Sequence, residues 1–197
     1  MIERVPDAFA AQALDRGAVA AVVRAETAAD LRGRPAIVVG DGVTALGAIA
    51  RAVRRRSRAR VVAITGSVGK TTTKDILAAL TRPLCEVVAT AANLNNEIGL
   101  PLTLLQVTPQ TDVVIAELGM RGPGQIRALA RVALPDLAVI TTIAPVHLEL
   151  VGTLEDVAAA KAELIEELRG GTAIVPGEAP LLAPHVRRHR GRVVTFG

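Results

Sequence analysis

Tryptophan and tyrosine are absent from this 197-residue chain, and Phe9 and Phe196 are its only aromatic side chains. That absence removes the platforms on which bases stack and argues against a nucleic-acid partner despite the net charge of +4. It also leaves the core to Ala, Val, Leu and Ile, a composition suited to strands covered on both faces and to close helix contacts. Cysteine occurs once, at Cys85, which excludes an internal disulfide framework and fits a reducing compartment; a buried, inert thiol is expected there. No apolar run reaches the roughly 18 residues that span a bilayer, and the start MIERVPDAFA lacks the basic-then-apolar order of a secretory signal. The chain therefore reads as a soluble cytoplasmic protein with no membrane span.

Acidic residues are missing from the whole stretch between Asp41 and Asp75, where Arg51, Arg54, Arg55, Arg56, Arg58, Arg60, Lys70 and Lys74 fall. A one-signed block of this kind attracts anions, although the part from Arg54 to Arg60 is equally consistent with a solvated helix end and linker. Before it, helices at Ala8 to Arg16 and Val43 to Arg56 and short strands at Ala18 to Val23 and Ile37 to Val39 make a small α/β unit. At about fifty residues it is short for an independent domain and reads as a partial N-terminal one, residues 1–56. From residue 57 to 197 the pattern becomes strand, loop, helix, repeated, with strands expected at Val61 to Thr65, Val113 to Leu118, Leu137 to Ile143, Thr172 to Val175 and Val193 to Phe196. Helices are expected at Thr71 to Leu80, Gly124 to Val132 and Thr153 to Arg169. This is an α/β protein with a mostly parallel, P-loop-type sheet flanked by helices.

Thr65-Gly66-Ser67-Val68-Gly69-Lys70-Thr71-Thr72-Thr73 follows the first of these strands and opens a helix. Glycines let backbone N–H groups approach phosphate oxygens, the helix start adds partial positive charge, Lys70 adds a full one, and the Thr71 hydroxyl is placed for magnesium. Ile64 stands where the longer form of this loop carries its first glycine, so the loop is the shorter GxxGKT form. Nucleoside triphosphate binding is the reading.

Three charged or titratable residues occupy unusual places. Glu117 ends the apolar run from Asp112, either as a strand-end charge in solvent or, since ligands bind at the carboxyl ends of strands in open α/β sheets, as a metal ligand facing the phosphates. In the helix after Gly152, capped by Thr153 and Asp156, the apolar stripe Leu154, Val157, Leu164, Ile165 and Leu168 is interrupted by Lys161. Either its stem snorkels to water, or Lys161 reaches the active site, where an unmodified ammonium beside a metal would be disfavoured. His147 lies beyond the strand Leu137 to Ile143, at the same edge, with a structural role and a metal or acid/base role both open. His185 and His189, in the basic stretch Pro184 to Arg192, are expected to be solvated, and the amide-rich segment Asn93 to Pro101 reads on its own as a turn.

Taken in order, TGSVGKTTT, NLNNEIGLP, AELGM, PVHLE and AAAKAEL resemble the central ATPase domain of the Mur ligase family, with NLNNEIGLP most similar to its MurF type. The resemblance covers nearly all of residues 61–197 and, more faintly, DAFAAQALDRGAVAAVV, which is similar to part of the UDP-sugar domain. It implies that Gly66, Ser67, Val68, Gly69, Lys70, Thr71 and Thr72 cradle ATP, and that Thr71, Glu117, His147 and Lys161 serve Mg2+. It further implies carbamylation of Lys161 and contacts from Asn93 and Asn96 to substrate or phosphate. The implied activity is ATP-dependent amide ligation in peptidoglycan-precursor synthesis, joining D-Ala-D-Ala to UDP-N-acetylmuramoyl-tripeptide through an acyl phosphate, with Lys70, Glu117, His147 and Lys161 catalytic. No segment matches the family's YNANP-type adenine site or its amine-binding C-terminal domain, so the chain by itself is expected to be inactive as a ligase. Other readings remain: a folylpolyglutamate-type ligase on the same core, a P-loop phosphotransferase, or a non-catalytic nucleotide-binding module.

Overall fold

The structure, a computed structural model, describes residues 8–145 and 152–197. Two compact units divide between Leu46 and Gly47. In the first, helix α1 (Ala8–Asp15), strand β1 (Ala21–Val23), helix α2 (Ala25–Asp30) and strand β2 (Ala36–Val38) enclose a small cluster of Leu14, Ala21, Val23 and Leu31. β1 and β2 pair in parallel. Helix α3 (Gly42–Arg56) begins in this unit and ends in the second.

The second unit alternates strand and helix: β3 (Arg60–Thr65), α4 (Lys70–Thr81), β4 (Val87–Ala89), α5 (Gly99–Leu104), β5 (Val113–Glu117), α6 (Gln125–Ala133), β6 (Leu137–Ile140), α7 (Leu154–Glu166) and β7 (Thr172–Pro176). A 3-10 turn at Pro180–Leu182, a short helix α8 (Ala183–Val186) and strand β8 (Arg192–Phe196) complete it. The six strands form one parallel sheet in the order β4-β5-β3-β6-β7-β8. Alternation along β3 explains the layering: Val61 and Ala63 enter the larger core with residues of α5, α6 and α7, whereas Ile64 joins Ala78 of α4, Ile115 and Val139 on the opposite face. The chain leaves β3 toward β5 and returns across it to β6, so the reversal of strand order falls at the carboxyl end of β3, where a ligand crevice forms in such sheets.

A core without aromatic rings is built here from small residues in register. Ala116, Ala63, Ala138 and Ala173 are successive cross-strand neighbours on β5, β3, β6 and β7, all with no exposure. The helices above them contribute Ala130 and Ala133 from α6 and Ala158 and Ala162 from α7 to the same core. No helix among the described residues is long and apolar enough to cross a membrane.

Departures from the sequence reading have local causes. β4 has three residues, too few to show a period, and α5 starts inside the segment read as a turn, its Pro101 sitting in the first helical turn where a missing N–H costs nothing. α2 escapes for the same reason of length, and β6 stops at Ile140 because Thr141 and Thr142 bond to the phosphate loop. Cys85 is only partly buried, its thiol 3.8 Å from the Thr81 carbonyl, which corrects the buried thiol expected.

Arg54 is not part of a free linker. Its guanidinium donates to the carbonyls of Ala59 (3.1 Å), Ala133 (3.1 Å) and Leu134 (3.0 Å) and to Asp136 Oδ2 (2.9 Å), and that same carboxylate oxygen accepts the Val61 N–H at 2.8 Å. The start of β3 and the α6–β6 connection are thus tied to the end of α3. Replacing Arg54 with Ala should cost about 2 kcal/mol of second-unit stability in urea unfolding, with Lys recovering less than half because one ammonium cannot serve four fixed acceptors. A loss below about 0.5 kcal/mol, the scale of an ordinary surface change, would restore the solvated-linker reading.

Candidate active site

The loop from Gly66 to Gly69 joins β3 to α4 and is fixed against the chain that leaves β6. Ser67 N–H donates to the Thr142 carbonyl (2.9 Å), Val68 N–H to the Thr142 hydroxyl (3.0 Å), and Ser67 Oγ donates to the Ala144 carbonyl while accepting the Ala144 N–H, both at 2.9 Å. Thr141 Oγ1 donates to the Val68 carbonyl at 2.6 Å and lies directly under Gly66, where any Cβ would overlap it. Gly66 (φ 150°) and Gly69 (φ 85°) occupy backbone conformations that L side chains rarely adopt. Thr141 and Thr142 were not singled out in the sequence; two threonines after an apolar strand carry no signal of their own.

Two of the four loop residues expected to cradle phosphate therefore direct their N–H groups at Thr142, just beyond β6, rather than at the front of the loop. What remains is the start of α4, whose N-cap Gly69 offers no side-chain cap. The orphan N–H groups of the first helical turn, at Lys70, Thr71 and Thr72, form an anion-binding end. Lys70 Nζ curls back over the loop to the carbonyls of Gly66 (2.7 Å) and Ser67 (3.3 Å). Burial lowers its pKa below the usual lysine value, and the charge of Glu117 opposes that.

Glu117, 2% exposed at the end of β5, is the carboxylate of this edge. Thr71 Oγ1 donates to its Oε2 at 2.9 Å, Asn95 Nδ2 donates to its Oε1 at 2.9 Å, and its backbone N–H donates to Thr90 Oγ1 at 3.0 Å. Behind Thr90, the buried Lys74 Nζ donates to the Thr90 carbonyl at 3.0 Å and pairs with Asp75 at 2.9 Å. Thr71 and Glu117, brought together across 46 positions of sequence, are hard oxygen donors of the type magnesium prefers.

Among the three asparagines of the amide-rich segment, the one that touches Glu117 is Asn95, which the sequence did not single out. Asn96 Oδ1 accepts the N–H groups of Ile98 (3.1 Å) and Gly99 (2.9 Å) and so holds the start of α5, while Asn93 is exposed and offers its carbonyl to Asn95 N–H at 2.8 Å. Asn95 is locked in turn by its carbonyl, which accepts Gly119 N–H at 2.8 Å, and a Cβ on Gly119 would lie 2.8 Å from Asn95 Oδ1. Composition alone cannot rank three neighbouring asparagines; the path of the backbone does.

Lys161 is 3% exposed on α7, whose start is set by a reciprocal bond between Thr153 and Asp156, as the sequence indicated. Among the described residues its ammonium has neither hydrogen bond nor ion pair. Burial first, and the charge of Lys70 second, push its pKa down to about 8. At 3% exposure its side chain has little contact with water, and it feels the charge of the partly buried Lys70. His147 lies outside the described residues. His185 is partly buried, its Nδ1 3.0 Å from Glu166, and His189 Nε2 is 2.9 Å from the Gly171 carbonyl, so neither is simply solvated and both stand apart from this edge. Among the described residues no group of three or more His, Cys, Asp or Glu side chains is disposed to hold a metal.

Comparison with known proteins agrees with this geometry. The profile of the Mur ligase middle domain matches residues 64–197. The UDP-N-acetylmuramoyl-tripeptide--D-alanyl-D-alanine ligase of Bacillus subtilis is 39% identical over 175 residues, covering 88% of this chain and 38% of the relative. The same-named ligase of Escherichia coli is 41% identical over 168 residues, covering 85% of this chain and 36% of the relative. The crystal structure of MurF ligase from Thermotoga maritima in complex with ADP superposes with a TM-score of 0.86 at 32% identity, covering 96% of this chain and 44% of that one. The chain thus spans about two fifths of the length of these relatives. With its glycine turn, its Thr71–Glu117 pair and its six parallel strands, this chain belongs to the Mur ligase family, of whose middle domain residues 64–197 are an example.

Proposed function

We propose that the chain is the ATP-binding core of a MurF-type ligase, which joins D-Ala-D-Ala to UDP-N-acetylmuramoyl-tripeptide through an acyl phosphate in cytoplasmic peptidoglycan-precursor synthesis. The observation that carries this reading is the Thr71 to Glu117 hydrogen bond of 2.9 Å at the start of α4, with Lys70 across the loop. A carboxylate is a poor electrophile until phosphorylated, so the enzyme's task is to align a terminal phosphoryl group with it and neutralise charge. The first-turn N–H groups of α4 hold the phosphates, and Lys70, released from the loop carbonyls, swings onto the outermost ones. Thr71 and Glu117 would hold a magnesium ion, which would supply neutralisation of phosphate charge. His147 is the expected partner of Glu117 there. Asn95 keeps the Glu117 carboxylate oriented, and the segment around Asn93 and Asn96 faces substrate.

Lys161 as an ammonium does not fit a magnesium site beside Lys70. As a neutral amine it can attack the carbon of carbon dioxide: a C–N bond forms, one C=O π pair moves to oxygen, and the nitrogen proton passes to water, leaving a carbamate. A pKa of about 8 keeps a useful fraction neutral near physiological pH. The resulting anion supplies the negative charge and oxygen ligands suited to a second magnesium.

Assayed in its full natural length, the protein should release ADP only when UDP-N-acetylmuramoyl-tripeptide and D-Ala-D-Ala are both present. Turnover supported by a folate and glutamate instead, or ATP binding without any turnover, would overturn the assignment. Lys70→Ala should weaken ATP binding about 100-fold by calorimetry, whereas Glu117→Gln should remove mainly its magnesium dependence.

Stability provides a separate check on Lys161. Its folded pKa of about 8 lies below the ordinary 10.5, so the folded state binds fewer protons than the unfolded state between those values and stability rises with pH there. The cost of burying the ammonium is full below pH 8 and gone above 10.5. In buffer freed of carbon dioxide, Lys161→Met should exceed the parent by about 2 kcal/mol at pH 7, a gap that closes toward high pH. A gap that stays constant with pH would show that Lys161 is not desolvated.

A further inference from the structure

Helix α7 carries two buried charged side chains that point different ways. Lys161 lies toward Lys70, and Glu163, two positions on and so roughly 200° around the helix, lies toward α6. Glu163 is 6% exposed. Its Oε1 accepts the N–H of Gly124 at 2.6 Å and its Oε2 the N–H of Arg127 at 2.9 Å. Both donors belong to the start of α6, which has no side-chain cap of its own because its N-cap is Gly124, at φ 82°. A carboxylate from a different helix thus satisfies two of the orphan donors of that end.

Two ion pairs continue along the same interface, Arg127 with Glu166 at 2.6 Å and Arg131 with Glu167 at 2.9 Å, but three of their four side chains are exposed and the pairs contribute little. Among the polar contacts between α6 and α7, the buried carboxylate therefore contributes most. The start of α6 is also the end of the segment that leaves Glu117, only seven residues after it in sequence. Glu163 accordingly connects the strand end bearing Glu117 with the helix bearing Lys161.

We propose that Glu163 is a positioning residue: by gripping both N–H groups at the start of α6 it sets the rotation of α7 and so the place of the Lys161 amine relative to Glu117. What that placement achieves in catalysis rests on the ligase reading above; the positional claim does not. Glutamine cannot replace it fully, because its amide offers one acceptor and would set an NH2 against the second N–H. Aspartate is shorter by one methylene, about 1.5 Å, and cannot reach both donors from the same helix position.

The test is amine-directed labelling of the 197-residue chain at one fixed pH in buffer freed of carbon dioxide, read peptide by peptide by mass spectrometry. Glu163→Gln should raise the labelling rate of Lys161 about tenfold through local opening, and Glu163→Asp should raise it less. Lys74, comparably buried at 4% on α4, should keep its parental rate, and Glu167→Ala should change neither lysine. Unchanged labelling of Lys161, or a joint rise at Lys161 and Lys74, overturns the proposal, the second result marking Glu163 as a general stabiliser. Magnesium-ATP affinity measured on the same proteins should fall about tenfold in Glu163→Gln. If the labelling shifts while even the parent chain fails to bind magnesium-ATP, the positional claim stands and the nucleotide reading falls.

Discussion

Glu117 has almost no contact with water, so its oxygens must be satisfied by the protein, and much of the carboxyl edge of the sheet is arranged to do that. Thr71 approaches one oxygen from the start of α4, Asn95 the other from the segment before α5, and Thr90 receives the backbone N–H from the end of β4. Two separate connections thereby converge on one carboxylate, and a third holds the backbone of the same residue. The phosphate loop, the amide-rich segment and the strand end are one hydrogen-bonded body, in which a change to any partner leaves a buried polar atom without its bond.

Against that single carboxylate stand the ammonium groups of partly buried Lys70 and buried Lys161. Lys70 borrows loop carbonyls, and Lys161 has only its burial and the repulsion of Lys70. Under the proposed reading a polyphosphate would meet this positive charge from outside, and carbamylation of Lys161 would reverse its sign from within. The two would be complementary, since magnesium is held by one or two carboxylates together with phosphate oxygens and water.

The parallel sheet, the glycine turn and the capped helix at Thr153 were legible because each is written in a local pattern: continuous apolar runs, a fixed glycine and lysine spacing, a Thr–Asp pair three apart. Glu117 and Lys161 stood out as charges in apolar frames. Asn95, Thr141 and Thr142 did not, since their roles come from which strand ends the topology brings side by side and nothing in their own neighbourhoods reports it. Glu163 was hidden for a related reason: the capping carboxylate of α6 sits 39 residues from the N–H it caps, beyond any rule that searches the first turn. The segment 54–60 divides: Arg55, Arg56, Arg58 and Arg60 are exposed, as a solvated helix end would be, whereas Arg54 is committed to backbone carbonyls of a distant turn.

The row Ala116, Ala63, Ala138 and Ala173 leaves a furrow only one methyl deep across four strands, and alanines of α6 and α7 descend into it. Such a seam has nothing left to trim, so its sensitivity runs toward enlargement: a single added methylene anywhere along it would lift a helix off the sheet. Because α7 carries Lys161 on its far shoulder, the smallest side chains in the protein set the height at which its most reactive amine stands.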